Sequence, residues 1–198
     1  MVNQRPQAEL LELWFADCRD TGKGRNELWF GGGRRFDDEL RQRFGELHAE
    51  AIRGELDRWA DTPHGLLALV LLLDQLSRNL HRGTAAAFAG DAAALRLARA
   101  AVERGWDRTM HPFERAFLYL PFEHSESLED QEQSVRLFTA LRDETGGAFD
   151  TEEALRYALE HRNAIVRFGR FPHRNACLGR HPTPEEQHYL TTAPRYGQ

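Results

Sequence analysis

The chain has 198 residues, 41% of them hydrophobic and 29% charged, with a formal net charge of −5. This length suits one substantial core, no Pro/Ser/Gly-rich linker divides it, and the net acidity argues against a general nucleic-acid binder. The longest apolar run, Leu66 to Leu73, is too short to span a bilayer, and the N-terminus lacks the basic-then-apolar pattern of a secretory signal, so no membrane association is expected.

Residues Pro6 to Asp17 are predicted as a first helix, with Leu10, Leu11, Trp14 and Phe15 at spacings of three and four, ending before Gly22 and Gly24. From Gly31 onward a second helix carries Phe36, Leu40, Phe44, Leu47 and Ile52, and Gly54 is expected to break it before a turn bearing Leu56 and Trp59. The third stretch, PHGLLALVLLLDQLSRNLHRG, is the expected core helix: Thr62 suits the N-cap, Pro63 the first turn and Gly83 the left-handed stop. Leu66 to Leu73 is apolar on every side, which a helix tolerates only where neighbours surround it. Beyond that run, Leu69, Leu73, Leu76 and Leu80 keep one stripe while Asp74, Gln75, Arg78, Asn79 and Arg82 gather opposite at 100° per residue.

Downstream, Asp91 is expected to cap a helix through Leu95, Leu97, Ala98 and Val102 to Gly105. Pro112 opens a helix with an aromatic face of Phe113, Phe117 and Tyr119, with a kink or break expected at Pro121. Ser127 and Asp130 have the spacing of a cap for a helix burying Val135, Leu137, Phe138 and Leu141 up to Gly146. Asp150 or Thr151 should cap the next, with Leu155, Leu159, Ile165 and Val166 inward and Gly169 as terminator. After the loop RFPHRNACLGRHP, Thr183 and Glu186 form a capping box for a short last helix. No stretch alternates like a strand. The expectation is a single all-α domain, residues 1–198, of about seven or eight helices packed as antiparallel hairpins.

Two stretches could carry chemistry. In the polar arc of the core helix, Asp74 and Arg78 have the favourable four-residue ion-pair spacing, with Gln75 and Asn79 alongside; it is either a solvated helix end or a covered network or pocket. In IVRFGRFPHRNACLGR, Arg170, His173, Arg174 and Asn175 are interleaved with Phe and Gly, a composition suited to holding phosphate or carboxylate. The alternative is structural. His161 to Pro184 contains five arginines and no acid, Ala116 to Val135 contains five acids and no Lys or Arg, and the two blocks could simply pair. Glu123 and His124, near the Pro121 break, could line the same cavity.

Other signals are weaker. Glu185 and His188 have ExxH spacing without the second pair that a di-iron site needs, so no metal and no cofactor are expected. Cys177, between His173 and His181, reads better as packing than as a nucleophile. With Cys18 it makes only two cysteines and no CxxC, so free thiols and a cytoplasmic setting are expected.

The blocks LLLDQLSRNLHRGTAAAFAGD, ERAFLYLPFEHSESLEDQEQSV and RFGRFPHRNACLGR resemble the signature blocks of the bacterial family called domain of unknown function 924, over nearly the whole chain. Leu76 and Ser77 stand where Phe and Pro are the commoner pair in that family, and Cys177 where an aliphatic residue is usual. The resemblance implies an all-α, tetratricopeptide-like stack and no established activity, although no 34-residue repeat is readable. The expected function is binding of a small anionic molecule, carboxylate or phosphate, by Asp74, Gln75, Arg78, Asn79, Glu123, His124, Arg170, His173, Arg174 and Asn175. Three readings stay open: that pocket, a module gripping a peptide or protein partner, and a scaffold held by charged blocks. As an enzyme the chain would move protons through Asp74, Glu123, His124 or His173, since no serine triad, P-loop or metal cluster is present.

Overall fold

The computed structural model describes residues 5–16, 18–30 and 33–192, apart from the side chains of Arg19 and Asp20. Among them every regular element is helical. Helix α1 is Arg5–Phe15 and buries Leu10, Leu11, Trp14 and Phe15; the predicted end at Asp17 lies outside the described residues. After single turns at Cys18–Thr21 and Asn26–Trp29, neither foreseen, α2 spans Gly33–Ile52. Its inward stripe is Phe36, Leu40, Phe44, His48 and Ala51, whereas Ile52, expected inside, is 40% exposed because the stripe steps by four and carries Ile52 past the core. Gly54 has φ +75, and Trp59 is buried in the following turn.

The core helix α3 begins as an α-helix over Pro63–Val70, where the Thr62 side chain accepts from the Gly65 N–H at 3.2 Å. It becomes π-helical over Leu71–Leu76 and returns to α over Ser77–Leu80. Every residue from Leu66 to Leu73 is at most 3% exposed, and α3 touches α1, α2, α4 (Asp91–Glu103) and α5 (Pro112–Glu123). The surrounding cover demanded by its all-round apolar surface is thus supplied by four helices.

Helix α5 continues through Pro121 instead of breaking; the proline sits in the last turn and forfeits the one bond its N–H would have made to the Phe117 carbonyl. Helices α6 (Leu128–Thr145) and α7 (Thr151–Phe168) form a hairpin, and α6 also packs along α5. Ser127 occupies the N-cap of α6 without a side-chain capping bond, and the Asp130 carboxylate is engaged by Ser125 and Arg99. On α7, Leu155, Ala158, His161, Ala164 and Ile165 are buried, while Leu159 and Val166 are 40% and 56% exposed, contrary to expectation. Gly169, with φ +67, ends α7, and the capping box of Thr183 and Glu186 starts α8 (Pro184–Tyr189). One apolar cluster runs from Leu10 to Ala158, with a satellite of Ala164, Ile165 and Phe171 beneath the last loop. No described helix is long and apolar enough to cross a membrane.

Candidate functional site

The site starts from the π-helical segment of α3. The Ser77 hydroxyl donates to the Leu73 carbonyl at 2.6 Å and lies 2.9 Å from His48 Nε2, so the segment is braced by a side chain returning to its own backbone. Gly90 lies against the same carbonyl: a Cβ there would sit 2.2 Å from the Leu73 oxygen. Because a π turn takes up one residue more than an α turn, it rotates the residues beyond it about the helix axis, and such turns recur at functional sites.

Asp74, fully buried within that turn, accepts from Gln75 Nε2 at 2.6 Å, pairs with Arg78 Nη1 at 3.1 Å and bonds His124 Nδ1 at 2.7 Å. Burial alone would raise its pKa, but Arg78 and His124 outweigh burial and hold the carboxyl well below the usual range. Arg78 reaches Asp91 through two N–H groups, at 2.8 and 3.2 Å, and Arg174 Nη1 donates to the same carboxylate at 3.1 Å. Arg174 Nη2 then donates to the His124 carbonyl at 2.9 Å. The result is a closed circuit, Asp74, Arg78, Asp91, Arg174, His124 and back, in which two guanidiniums are balanced by two carboxylates. Phe88 lies 5.7 Å from the Arg78 guanidinium and 4.6 Å from that of Arg174. Burial and the nearby Arg78 lower Arg174 to about 10, leaving it a cation at neutral pH.

Three members of this circuit, Arg78, His124 and Arg174, border a cavity of about 380 Å³. Gln75, Arg78, Asn79, Glu123, His124, His173 and Arg174 border it, together with Arg82 and His161; Asp74 stands behind, in contact with Gln75, Arg78 and His124. The lining is also aromatic, with Trp29, Phe30, Phe113, Phe117, Phe149 and Tyr157. Trp29 meets Phe117 edge to face at 4.8 Å between centroids, and Phe149 meets Phe113 at 5.6 Å. Phe149 and Asp150 have φ +59 and +57, a left-handed backbone that is costly for side-chain-bearing residues, and this short α6–α7 connection sets Phe149 against the cavity.

Glu123, the last residue of α5, is 3% exposed, and burial, with Asp74 and Glu160 nearby, pushes its carboxyl up to about 8. Its Oε1 lies 3.2 Å from His161 Nδ1, which also bonds the Tyr157 carbonyl at 2.9 Å, while Oε2 has no hydrogen-bond partner. Burial lowers His161 and His173 to about 3, helped by His124 and Arg174 respectively, so both rings are neutral near pH 7. Burial and then Arg78 also lower His124, with Asp74 opposing.

Arg170 and Asn175 do not join this group. Arg170 grips Glu186 at 2.6 and 2.8 Å, and Asn175 donates to the same carboxylate at 3.3 Å; the turn after Gly169 aims both at α8, which they pin to the body. The acidic and basic blocks also meet, through Arg162 with Glu132 at 2.8 Å and Arg180 with Glu126 at 2.7 Å. Sequence reasoning missed Asp91, assigned as a cap: Gly90 takes the N-cap position and the Asp91 carboxylate joins the two arginines instead. It also missed His161 and the aromatic wall. An α7 stripe drawn through Leu155, Ala158, His161 and Ile165 would have found His161; nothing local marks Asp91. Among the described residues no group of three or more His, Cys, Asp or Glu is placed to hold a metal ion.

A search of curated proteins gives no match. A solved structure of a protein of unknown function from Agrobacterium tumefaciens is 38% identical, with a TM-score of 0.80 over 94% of this chain and 97% of that one. The model of a family described as bacterial protein of unknown function (DUF924) matches residues 10–194, and the chain belongs to that family.

Proposed function

We propose that this protein binds a small molecule with a carboxylate or phosphate head and an apolar or aromatic body in the cavity between α3, α5 and α7. The observation that carries the reading is that one cavity is bordered by both guanidiniums and aromatic rings. Arg78 and Arg174, with His124 and His173, border it, and so do Trp29, Phe117 and Phe149. The volume of about 380 Å³ falls in the range of roughly 300–1,000 Å³ typical of ligand pockets. The guanidiniums already share Asp91, the more exposed of their two carboxylate partners at 20%. A ligand anion would therefore meet them against Asp91, with a planar fork better suited than a point charge to a carboxylate or phosphate. The α5, α6 and α7 succession supports a tetratricopeptide-like stack of hairpins, and Cys18 and Cys177, neither of them in a disulfide, suit a cytoplasmic setting.

The test is a thermal-shift screen of carboxylated and phosphorylated metabolites against wild type, Arg174→Lys and Arg174→Gln. Lysine keeps the charge and loses the fork; glutamine loses both. Hits in the wild type should weaken at least tenfold in Arg174→Lys and vanish in Arg174→Gln. Hits that survive both changes would transfer the function to a peptide-binding or scaffold role.

A further inference from the structure

Two helices border the cavity along their length. Helix α5 presents Phe113, Phe117, Leu120 and Glu123, and α7 presents Glu153, Tyr157 and His161, each set spaced by three or four residues and so on one face. The helices run side by side in the same direction: Phe113 meets Phe149 at 5.6 Å at their starts, and Glu123 Oε1 lies 3.2 Å from His161 Nδ1 further along. At 1.5 Å per residue, Phe113 and Glu123 are about 15 Å apart along α5, and Glu153 is about 12 Å from His161 along α7.

This length separates the charged groups. Arg174 donates to the carbonyl of His124, just past the end of α5, and shares Asp91 with Arg78, so both guanidiniums belong to the far end. Asp150 and Glu153 sit at the start of α7, beside Phe149. Phe30, stacked on Phe117 and 62% exposed, and Tyr157, 37% exposed, open this side to solvent, whereas Arg174 is 6% exposed. At the far end Asp74 and Asp91 do not border the cavity, and burial holds the carboxyl of Glu123, which does, at about 8, so it keeps its proton at neutral pH. Arg82, a third guanidinium on the border, is occupied by Asp37 at 2.7 and 3.0 Å. At the open end the Asp150 carboxylate has no hydrogen bond or ion pair among the described residues; it fills the space Gly24 leaves, where a Cβ would sit 2.6 Å from its Oδ2. Glu153 is held only by Arg156 at 3.3 Å and Asn26 at 3.5 Å.

We infer that the cavity selects linear amphoteric molecules: a carboxylate at Arg78 and Arg174, a hydrocarbon spacer along α5 and α7, and an ammonium or guanidinium at Asp150 and Glu153. This rests on the anion-binding reading above and adds the second charge and the length. The covered end takes the anion because guanidinium forks replace its lost hydration. The open end takes the cation, which keeps part of its water and meets carboxylates and the exposed rings of Phe30 and Tyr157. Between the ends, α5 and α7 offer Ala116, Phe117, Leu120, Ala154 and Tyr157, with a single hydroxyl among their side chains. A peptide backbone of the same length would leave N–H and C=O groups unpaired against them, so the ligand is an ω-amino or ω-guanidino acid rather than a peptide.

The probes are ω-aminobutanoate, ω-aminooctanoate, octanoate and tetra-alanine with free ends, titrated by calorimetry at low and high salt. Side chains at both ends reach inward, so the octanoate chain length bridges them and the butanoate does not. Aminooctanoate should bind at least tenfold more tightly than aminobutanoate and about fivefold more tightly than octanoate at low salt, the second gap narrowing with salt because the outer carboxylates are exposed. Tetra-alanine should bind more weakly than aminooctanoate. Asp150→Asn combined with Glu153→Gln should lower aminooctanoate to the affinity of octanoate and leave octanoate unchanged; asparagine tolerates the left-handed backbone of Asp150, φ +57, and octanoate binding reports that the fold is intact. Arg174→Gln should remove both ligands. Octanoate binding as tightly as aminooctanoate overturns the amphoteric inference and leaves the anion-binding reading intact. An advantage of aminooctanoate that survives the paired change overturns the placement of the cation, and tighter binding of tetra-alanine overturns the hydrocarbon spacer. Absence of binding by all four probes also overturns the inference, whereas the metabolite screen decides the ligand reading separately.

Discussion

At the scale of single residues, Glu123 gives the clearest test of the site's electrostatics. Its folded carboxyl titrates near 8, against an ordinary 4.5. Between those values the folded chain keeps a proton that the unfolded chain releases, so stability attributable to this group falls as pH rises from about 4.5 to 8, by roughly 1.4 kcal/mol per pH unit at most. Buried His48, His161 and His173 act with the opposite sign below pH 6.5, since their lowered folded values make acid unfold the protein. The difference between wild type and Glu123→Gln isolates the carboxyl. In denaturant titrations at pH 5 and pH 7.5, the variant should lose less stability than wild type on going to the higher pH. Identical slopes would show that Glu123 is ionised in the fold. Glu123 itself was readable as a candidate from its place near Pro121, but its protonation was not, because that depends on Asp74 and Glu160 brought near by folding.

The elements divide by how much of their surface is covered. The apolar run of α3 was legible since eight consecutive apolar residues have nowhere to go but inside, and Leu69 at 2% exposure should cost about 2–5 kcal/mol on replacement by alanine. On α7 the same reasoning misplaced Leu159, because a helix packed on one side tolerates scattered apolar residues outside. Leu159→Ala should therefore stay within about 0.5 kcal/mol, and chemical denaturation of both variants checks the contrast. The π-helical segment Leu71–Leu76 was invisible in advance, since its sequence is ordinary helix former and its braces, His48 and Gly90, come from elsewhere. Gly90 is the sharper probe. Its backbone φ of −87 would admit any residue, so the obstacle to a side chain is steric alone. Gly90→Ala should destabilise by about 1–3 kcal/mol, as overpacking does, and should loosen Asp91 from Arg78 and Arg174. A midpoint of denaturation equal to wild type would mean the contact yields freely and the segment is not held from that side.

For the whole molecule, the charged blocks decide how the C-terminal segment is kept over the cavity it helps to build. Glu126 accepts from both terminal nitrogens of Arg180, at 2.7 and 3.0 Å, and from the Phe171 N–H at 2.8 Å, while Glu186 holds Arg170, Asn175 and the Thr183 N–H. Between these two anchors lie His173 and Arg174. Pairing of the blocks was legible in the sequence as complementary charge, but the exact partners were not, which is why Arg170 read as a ligand contact when it is a fastening. Burial would raise Glu126, yet Arg180 and the Phe171 N–H hold it lower, and the Arg170 contact draws Glu186 down to about 2. Carboxyls lowered in the fold stabilise it above their ordinary value near 4.5 and lose that contribution as pH falls below it. The grip on the segment should accordingly weaken progressively as pH falls from about 4.5 toward 2. Glu126→Gln should reproduce this weakening at neutral pH, with faster amide exchange confined to residues 170–190 and ligand affinity reduced through misplaced Arg174, while α3 amides remain protected. If exchange in the variant rises evenly over α3 and the C-terminal segment, the blocks support the fold as a whole rather than one movable wall of the site.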